Sequence, residues 1–259
     1  MEAPVNVVAL AKYVPDPQST PQLGADGLLV RDGSGGALDP GDEYGLELAL
    51  QLAEAGGGEV TVVSMGPPEA VTAVRRGLAM GAHRGVLVAD PALRGSDALA
   101  TARVLAAAIA RQTYDLVIAG MESTDGYTGT VPVTVAELLG IDSITAVRAL
   151  QAEPDGLRVE RQTESGYDVV TCALPALVTV TAGATEPRYP SLKGIMGAKQ
   201  KPFEELSLAD LEIDPAQIAA EQSVAGVVDA PAKTGGQTIE ADPDGVTRIA
   251  DLLAQAKVI

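Results

Sequence analysis

DLVIAGMESTDGYTGTV, residues Asp115 to Val131, is the most informative run in the chain. Asp115 to Ala119 has the apolar make-up of a strand buried on both faces, and a helix-like pattern follows near Val133–Leu139. Between them, Gly126 and Gly129 let the backbone turn tightly, while Ser123, Thr124, Thr128 and Thr130 supply hydroxyls. A glycine-containing loop that leads from a strand into a helix is where open α/β sheets bind ligands, because free N–H groups at a helix start favour anions. Glu122 and Asp125 put negative charge in the same place, so they must point away or bind ribose hydroxyls. On residues alone, a nucleotide site and an ordinary Gly/Asp turn account for Gly120–Val131 equally.

The segments before this loop alternate in type. Val5 to Leu10 reads as a strand followed by a loop over Lys12–Pro17, and Gly24 to Pro40 as a hairpin or excursion. Leu46, Leu48, Leu50 and Leu52 alternate as a strand would, yet Leu46, Ala49, Leu50 and Ala53 also fit helical spacing. Strong helix formers, Asp42 as N-cap and the stop at Gly56–Gly58 favour the helix. Glu59–Met65 then reads as a strand, Pro67–Met80 as a helix closed by Gly81, and Gly85–Ala89 as a strand. Asp97 opens a helix with Ala98, Ala102, Leu105 and Ile109 on one face. This rhythm implies a mostly parallel sheet covered on both faces. Four strand-like runs, Ile144–Leu150, Leu157–Gln162, Tyr167–Leu174 and Ala176–Thr181, are expected to add antiparallel members. From Phe203 the chain turns acidic, with 11 acidic and 3 basic residues to Ile259. We expect a nucleotide-binding α/β domain over residues 1–202 and an extended arm over 203–259. The arm ends in a helix capped by Asp242 or Asp244, with Val246, Ile249, Ala250 and Leu253 on one face; docking on another subunit and packing back on its own domain fit that pattern equally.

Composition removes several functions. The 259 residues hold 18 Lys+Arg against 35 Asp+Glu, a net charge of −17, and 46% are hydrophobic, enough for one large core with or without an appendage. That balance argues against sequence-independent nucleic-acid binding, which needs cations to displace phosphate counterions. Cys172 has no second cysteine to bridge, and with His83 as the one histidine it cannot build a usual zinc site, so no metal is expected. We read Cys172 as a buried strand residue and His83 as a surface or helix-end residue. With no Trp and one Phe, any cofactor must be held mostly by backbone and small polar groups. The longest uncharged run, Val169–Thr185, is broken by Pro175, so no membrane insertion is expected. The amino terminus lacks a signal peptide's basic start and long apolar region, which points to the cytoplasm. Gly33-Ser34-Gly35-Gly36 lacks the last glycine of a dinucleotide fingerprint, since Leu38 stands there, and neither a P-loop nor a nucleophile elbow is present, so no catalytic residue is assigned.

Two further motifs remain. Asp39-Pro40-Gly41-Asp42 opens a helix and, read alone, is an N-cap. EPRYPSLKGIMGAKQKP, Glu186 to Pro202, carries Arg188, Lys193, Lys199 and Lys201 against one acid, with Leu192, Ile195 and Met196 among glycines and prolines. It suits an exposed loop with an apolar anchor and a basic rim for an acidic partner, or a solvated loop whose apolar residues pack inward.

Taken together, VALAKYVPD (Val8–Asp16), LDPGDE (Leu38–Glu43), VVSMGP (Val62–Pro67), LAMGAHRG (Leu78–Gly85), Gly120–Val131 and above all Glu186–Lys199 resemble the beta subunit of electron transfer flavoprotein, over essentially the whole chain. The resemblance implies a Rossmann-like three-layer nucleotide-binding fold with a mostly parallel sheet, antiparallel additions and an extended C-terminal arm embracing an alpha subunit. It implies a heterodimer whose alpha subunit holds most of an FAD, while the beta chain binds AMP structurally. The implied AMP site comprises Leu10, Asp39, Pro40, Gly41, Asp42, Met65, Gly120, Met121, Glu122, Ser123, Thr124, Asp125, Gly126, Tyr127, Thr128, Gly129, Thr130 and Val131. Asp39 stands where the family frequently has Asn, and Tyr13, in the loop that approaches the flavin, replaces a more common Gln or Arg. The implied docking loop, residues 186–201, presents Leu192 to dehydrogenases such as acyl-CoA dehydrogenases, with Arg188, Lys193, Ile195, Met196, Lys199 and Lys201 around it. Electrons would pass onward to a quinone reductase, in fatty acid oxidation and related routes. Two other readings are an electron-bifurcating relative with a second FAD in the beta site, and a stand-alone adenine-nucleotide-binding module resembling the universal stress proteins.

Overall fold

The computed structural model describes residues 4–31, 35–154, 156–228, 230–231 and 235–259. Gly33 and Ser34 of the near-fingerprint turn lie outside the described residues. Val7–Leu10 (β1) is followed by the short strands Tyr13–Pro15 (β2) and Gly36–Leu38 (β3), which pair antiparallel with Tyr13 opposite Leu38. Part of the stretch expected as loop is therefore strand. Pro40–Gly56 (α1) has Asp39, not Asp42, as its N-cap. Pro40 occupies the first helical position, where no intrahelical N–H is needed, and that moves the start forward of the expected Asp42.

Val60–Met65 (β4), Val71–Met80 (α2), Arg84–Val88 (β5), Ala98–Ala110 (α3), Leu116–Gly120 (β6) and Val131–Leu139 (α4) complete the alternating part. Asp142–Glu153 (β7), Gly156–Thr163 (β8), Gly166–Cys172 (β9) and Ala176–Val180 (β10) follow, then Leu192–Gly197 (α5), Phe203–Leu206 (β11) and Pro243–Gln255 (α6). Among the described residues, nine strands form one sheet in the order β11-β5-β4-β1-β6-β10-β7-β8-β9. Only the β7–β8 and β8–β9 pairings are antiparallel; β10 returns between β6 and β7 and runs parallel to both, so the antiparallel addition is smaller than expected.

Period-two alternation separates the two cores. On one side Val7, Ala9, Val62, Leu116 and Ile118 pack with Leu46 and Leu50 of α1 and Leu78 of α2. On the other, Val8, Leu10, Val63, Val86 and Val117 pack with Val104, Leu105 and Ile109 of α3 and Val135 of α4. The result is three layers with the carboxyl ends of β4, β1 and β6 side by side. Cys172 lies in β9 at the edge of the sheet and is half-buried, less enclosed than expected. His83 follows α2, and its Nδ1 accepts the Val60 amide at 3.0 Å.

The chain divides into two compact units, 1–224 and 225–259. In the first, the stretch expected to begin the arm starts as strand β11, paired in parallel with β5. In the second, Asp242 caps α6 through the Gly245 amide, and Val246, Ile249, Leu252 and Leu253 are exposed. No helix among the described residues is long and apolar enough to cross a membrane.

Candidate functional site

Two places carry polar or apolar chemistry that the core does not need. The first lies where β1, β4 and β6 end. Gly120 closes β6, and the loop to α4 leaves residues 126–130 exposed while Ser123, Thr124 and Asp125 are turned partly inward. Three carboxylates hold this loop. Asp39 is fully buried; its Oδ1 accepts the Gly41 amide at 2.8 Å, and its Oδ2 accepts both the Thr124 amide and the Thr124 hydroxyl at 2.7 Å. Asp42 Oδ2 accepts the Lys12 amide at 2.7 Å and its Oδ1 the Gly120 amide at 3.1 Å, stitching the ends of β1 and β6 to the start of α1. Burial and the neighbouring Asp39 carboxylate push the Asp42 carboxyl up to about 7. Gly120 is required here by close approach: a Cβ would stand 2.8 Å from Asp42 Oδ1 and 3.1 Å from the Gly41 carbonyl carbon.

Asp125 is the third carboxylate, with a side chain only 4% exposed. Lys12 Nζ approaches Oδ1 at 2.6 Å and also donates to the Ser123 hydroxyl at 2.9 Å, while Arg31 reaches Oδ2 at 2.6 and 3.0 Å. Burial alone would raise the Asp125 carboxyl, but the two cations outweigh it and hold it below its ordinary value. Asp125 thus points away from the outer face of the loop, one of the two orientations its charge demanded. Glu122 is exposed, with its carboxylate beside Gly129. Tyr127 holds a positive φ of 48° and is 65% exposed. Thr130 begins α4 without a side-chain cap, so the first-turn amides of α4 receive none from it. Leu10 and Met65 end β1 and β4, the next two strands along the sheet from β6, and Met121 is exposed at the start of the loop. Ser64, next to Met65, is the buried side chain whose hydroxyl lacks a hydrogen-bond partner among the described residues. Tyr13 is buried with its ring against Gly36.

The second place is Glu186–Pro202. Arg188 grips α1: its guanidinium meets Glu47 at 2.8 and 2.9 Å and Glu54 at 2.5 and 3.0 Å, and its amide also donates to Glu47. Burial would raise the Glu47 carboxyl, yet its bonds to Arg188 and Gln51 bring it below its usual range. Lys201 Nζ donates to the carbonyls of Leu78 and Ala82 at 2.8 and 2.6 Å, satisfying acceptors where α2 ends. Gly194 lies so close to α2 that a Cβ would stand 2.3 Å from the Ala79 carbonyl oxygen, and Ala198 is buried beneath α5. Ser191 caps α5 through the Gly194 amide at 3.0 Å. On this mount Leu192, Ile195 and Met196 are 75%, 53% and 69% exposed, and Lys193 and Lys199 face solvent. Two of the four cations expected to rim the patch, Arg188 and Lys201, are occupied inside the chain. Sequence reasoning missed Arg31, Glu47 and Glu54; a glutamate among leucines on the buried face of α1 was the one signal available.

An open, mostly parallel sheet covered on both faces, with a polar loop at the carboxyl ends of its central strands, defines a Rossmann-like three-layer α/β protein. A family model described as "Electron transfer flavoprotein domain" matches residues 26–211, and the chain belongs to that family. It is 39% identical to the "Electron transfer flavoprotein subunit beta" of Mycobacterium leprae (strain TN), over 98% of this chain and 99% of the relative. It is 39% identical to the protein of that description in Thermoanaerobacterium thermosaccharolyticum, over 86% of each chain. The Bacillus subtilis (strain 168) protein of the same description is 36% identical, over 90% of this chain and 92% of the relative. The resemblance carried by the sequence motifs is borne out, and the chain is an electron-transfer flavoprotein subunit.

Proposed function

We propose that this chain is the beta subunit of a heterodimeric, cytoplasmic electron carrier in which an alpha subunit holds most of an FAD. The observation that carries this reading is the apolar triad Leu192, Ile195 and Met196, presented to solvent on a segment otherwise fixed by buried contacts. An exposed apolar patch on a rigid mount suits transient docking, because little ordering entropy is lost on binding. Dehydrogenases, among them acyl-CoA dehydrogenases, are the proposed donors, and a quinone reductase the acceptor. FAD, when bound, would supply the redox chemistry; this chain breaks no bonds and acts by enclosing, orienting and docking.

AMP is the proposed ligand of the loop at Gly120–Val131. The residues suit it: α4 begins without a side-chain cap, residues 126–130 are exposed and carry the Thr128 and Thr130 hydroxyls, and Lys12 stays 38% exposed beside them. Asp39, Asp42 and Asp125 spend their oxygens within the chain, so they shape the site rather than touch the ligand.

Co-purification with the candidate alpha subunit, followed by denaturation and quantification of AMP and FAD, tests the proposal. One FAD and one AMP per heterodimer is expected. Two FAD and no AMP would make the complex a bifurcating enzyme, and a chain that forms no complex would leave only a nucleotide-binding module. Leu192→Ala should weaken electron acceptance from a donor dehydrogenase and leave the AMP content intact; unchanged donor kinetics would remove the docking role.

A further inference from the structure

The excursion between β2 and β3 has its own order. Gly24 donates to the Leu28 carbonyl at 2.8 Å, Val30 to the Gln22 carbonyl at 2.9 Å, and Leu23 bridges Leu29 in antiparallel fashion, so residues 22–30 form a small hairpin with its turn at 24–27. Both ends of this hairpin are tied to other loops. At the tip, Asp26 pairs with Arg94, and Leu28 lies within van der Waals reach of Gly95; both contacts are in the loop after β5. At the base, Arg31 pairs with buried Asp125 in the loop after β6.

The strand order turns these ties into a location. β5 and β6 are separated by β4 and β1, so a segment tied to the loops that follow β5 and β6 must cross the carboxyl ends of β4 and β1. Three strand spacings are about 14 Å. The five residues from Asp26 to Arg31, extended, reach about 17 Å. The lengths match, and the strand ends beneath are Met65 and Leu10.

We infer that residues 22–31 are a strap closed across the nucleotide site, and that Arg31, through Asp125, is the positioning residue that keeps bound nucleotide from leaving. The inference rests on the nucleotide reading of the Gly120–Val131 loop. The two ties differ in strength. Asp26 and Arg94 are 45% and 65% exposed, a pair that solvent and salt weaken, whereas the Asp125 side chain is 4% exposed. Arg31 is therefore the tie that matters. Its removal leaves Lys12 on Asp125, so the buried carboxylate keeps a counter-ion and the loop keeps its fold.

The test uses the full chain co-expressed with its alpha subunit. Exchange of bound nucleotide against labelled AMP is timed at low and high salt for wild type, Arg31→Gln, Arg31→Lys and Arg94→Gln. Arg31→Gln should exchange at least about tenfold faster than wild type, Arg31→Lys should fall between, and Arg94→Gln should stay within about twofold. Because the tie that matters ends on a buried carboxylate, salt should leave the ratio between Arg31→Gln and wild type little changed. Wild-type exchange in Arg31→Gln overturns the inference. Hydrogen exchange of the amides of residues 23–30 separates it from the nucleotide reading: if no AMP binds wild type, that reading fails, while amide exchange no faster in Arg31→Gln than in wild type removes the strap itself.

Discussion

Asp39 and Asp42 stand within one turn of each other and meet different fates. Asp39, fully buried, accepts three hydrogen bonds, and truncating it would strand the Gly41 and Thr124 amides. Asp39→Ala should therefore cost about 2–4 kcal/mol in denaturant unfolding and empty the proposed nucleotide site. Asp42 is poised to titrate. Its carboxyl goes from an ordinary value of 3.8 to about 7 on folding, so the folded chain holds the proton more tightly. The stability this contributes is complete below the unfolded value and is lost as the pH rises through about 7. Asp42→Asn has no proton to lose, so its Tm should gain on wild type by several degrees between about pH 5 and pH 8. A constant difference in Tm over that range would show that Asp42 does not titrate there.

At the scale of elements, the docking segment divides its residues between holding and contacting. Leu192, Ile195 and Met196 face out; Arg188, Gly194, Ala198 and Lys201 face in. Arg188→Ala leaves buried Glu47 without its counter-ion and should cost about 1–3 kcal/mol, with the upper part of the buried-pair range discounted for a guanidinium that is 31% exposed. It should also raise the KM for a donor dehydrogenase, since the patch would lose its fixed orientation; a stability loss with unchanged KM would separate mount from docking. The sequence displayed the local excess of positive charge but not its use, because a cation that grips a buried glutamate and one that faces solvent are spelled alike. Lys201 shows the same limit: only the fold reveals that α2 ends at its ammonium group. The nucleotide loop was more readable, since strand, glycines and helix follow one another in the chain. What escaped there was Arg31, 94 residues from Asp125, whose role depends on a long-range pairing that no local pattern encodes.

For the whole molecule, the alternating segments were readable because β1, β4, β5 and β6 are buried along almost their whole length and the helices between them each have an apolar side. The placement of β10 was not: its pattern fits either sense, and only tertiary pairing with β6 and β7 sets it parallel. The C-terminal unit has a helix whose Val246, Ile249, Leu252 and Leu253 stay exposed. A chain ending at Val224 should therefore melt within about 3 °C of the full chain, since the removed segment buries little of its own. Under the proposed function, that truncated chain should fail to pull down the alpha subunit. A large drop in Tm would instead make residues 225–259 part of the folded core.

Helix α1 serves both places at once. Asp39 caps it and its first turn carries Asp42, and Glu47 and Glu54 lie further along the same rod, where they hold Arg188. The residues that fasten the segment are thus separate from the exposed ones proposed to meet a partner. Leu192, Ile195 and Met196 can be exchanged for other side chains without loosening the fastening. Under the proposed function, a lineage could change which enzymes this chain serves by altering three exposed positions, keeping its mounting hardware and its proposed nucleotide crevice unaltered.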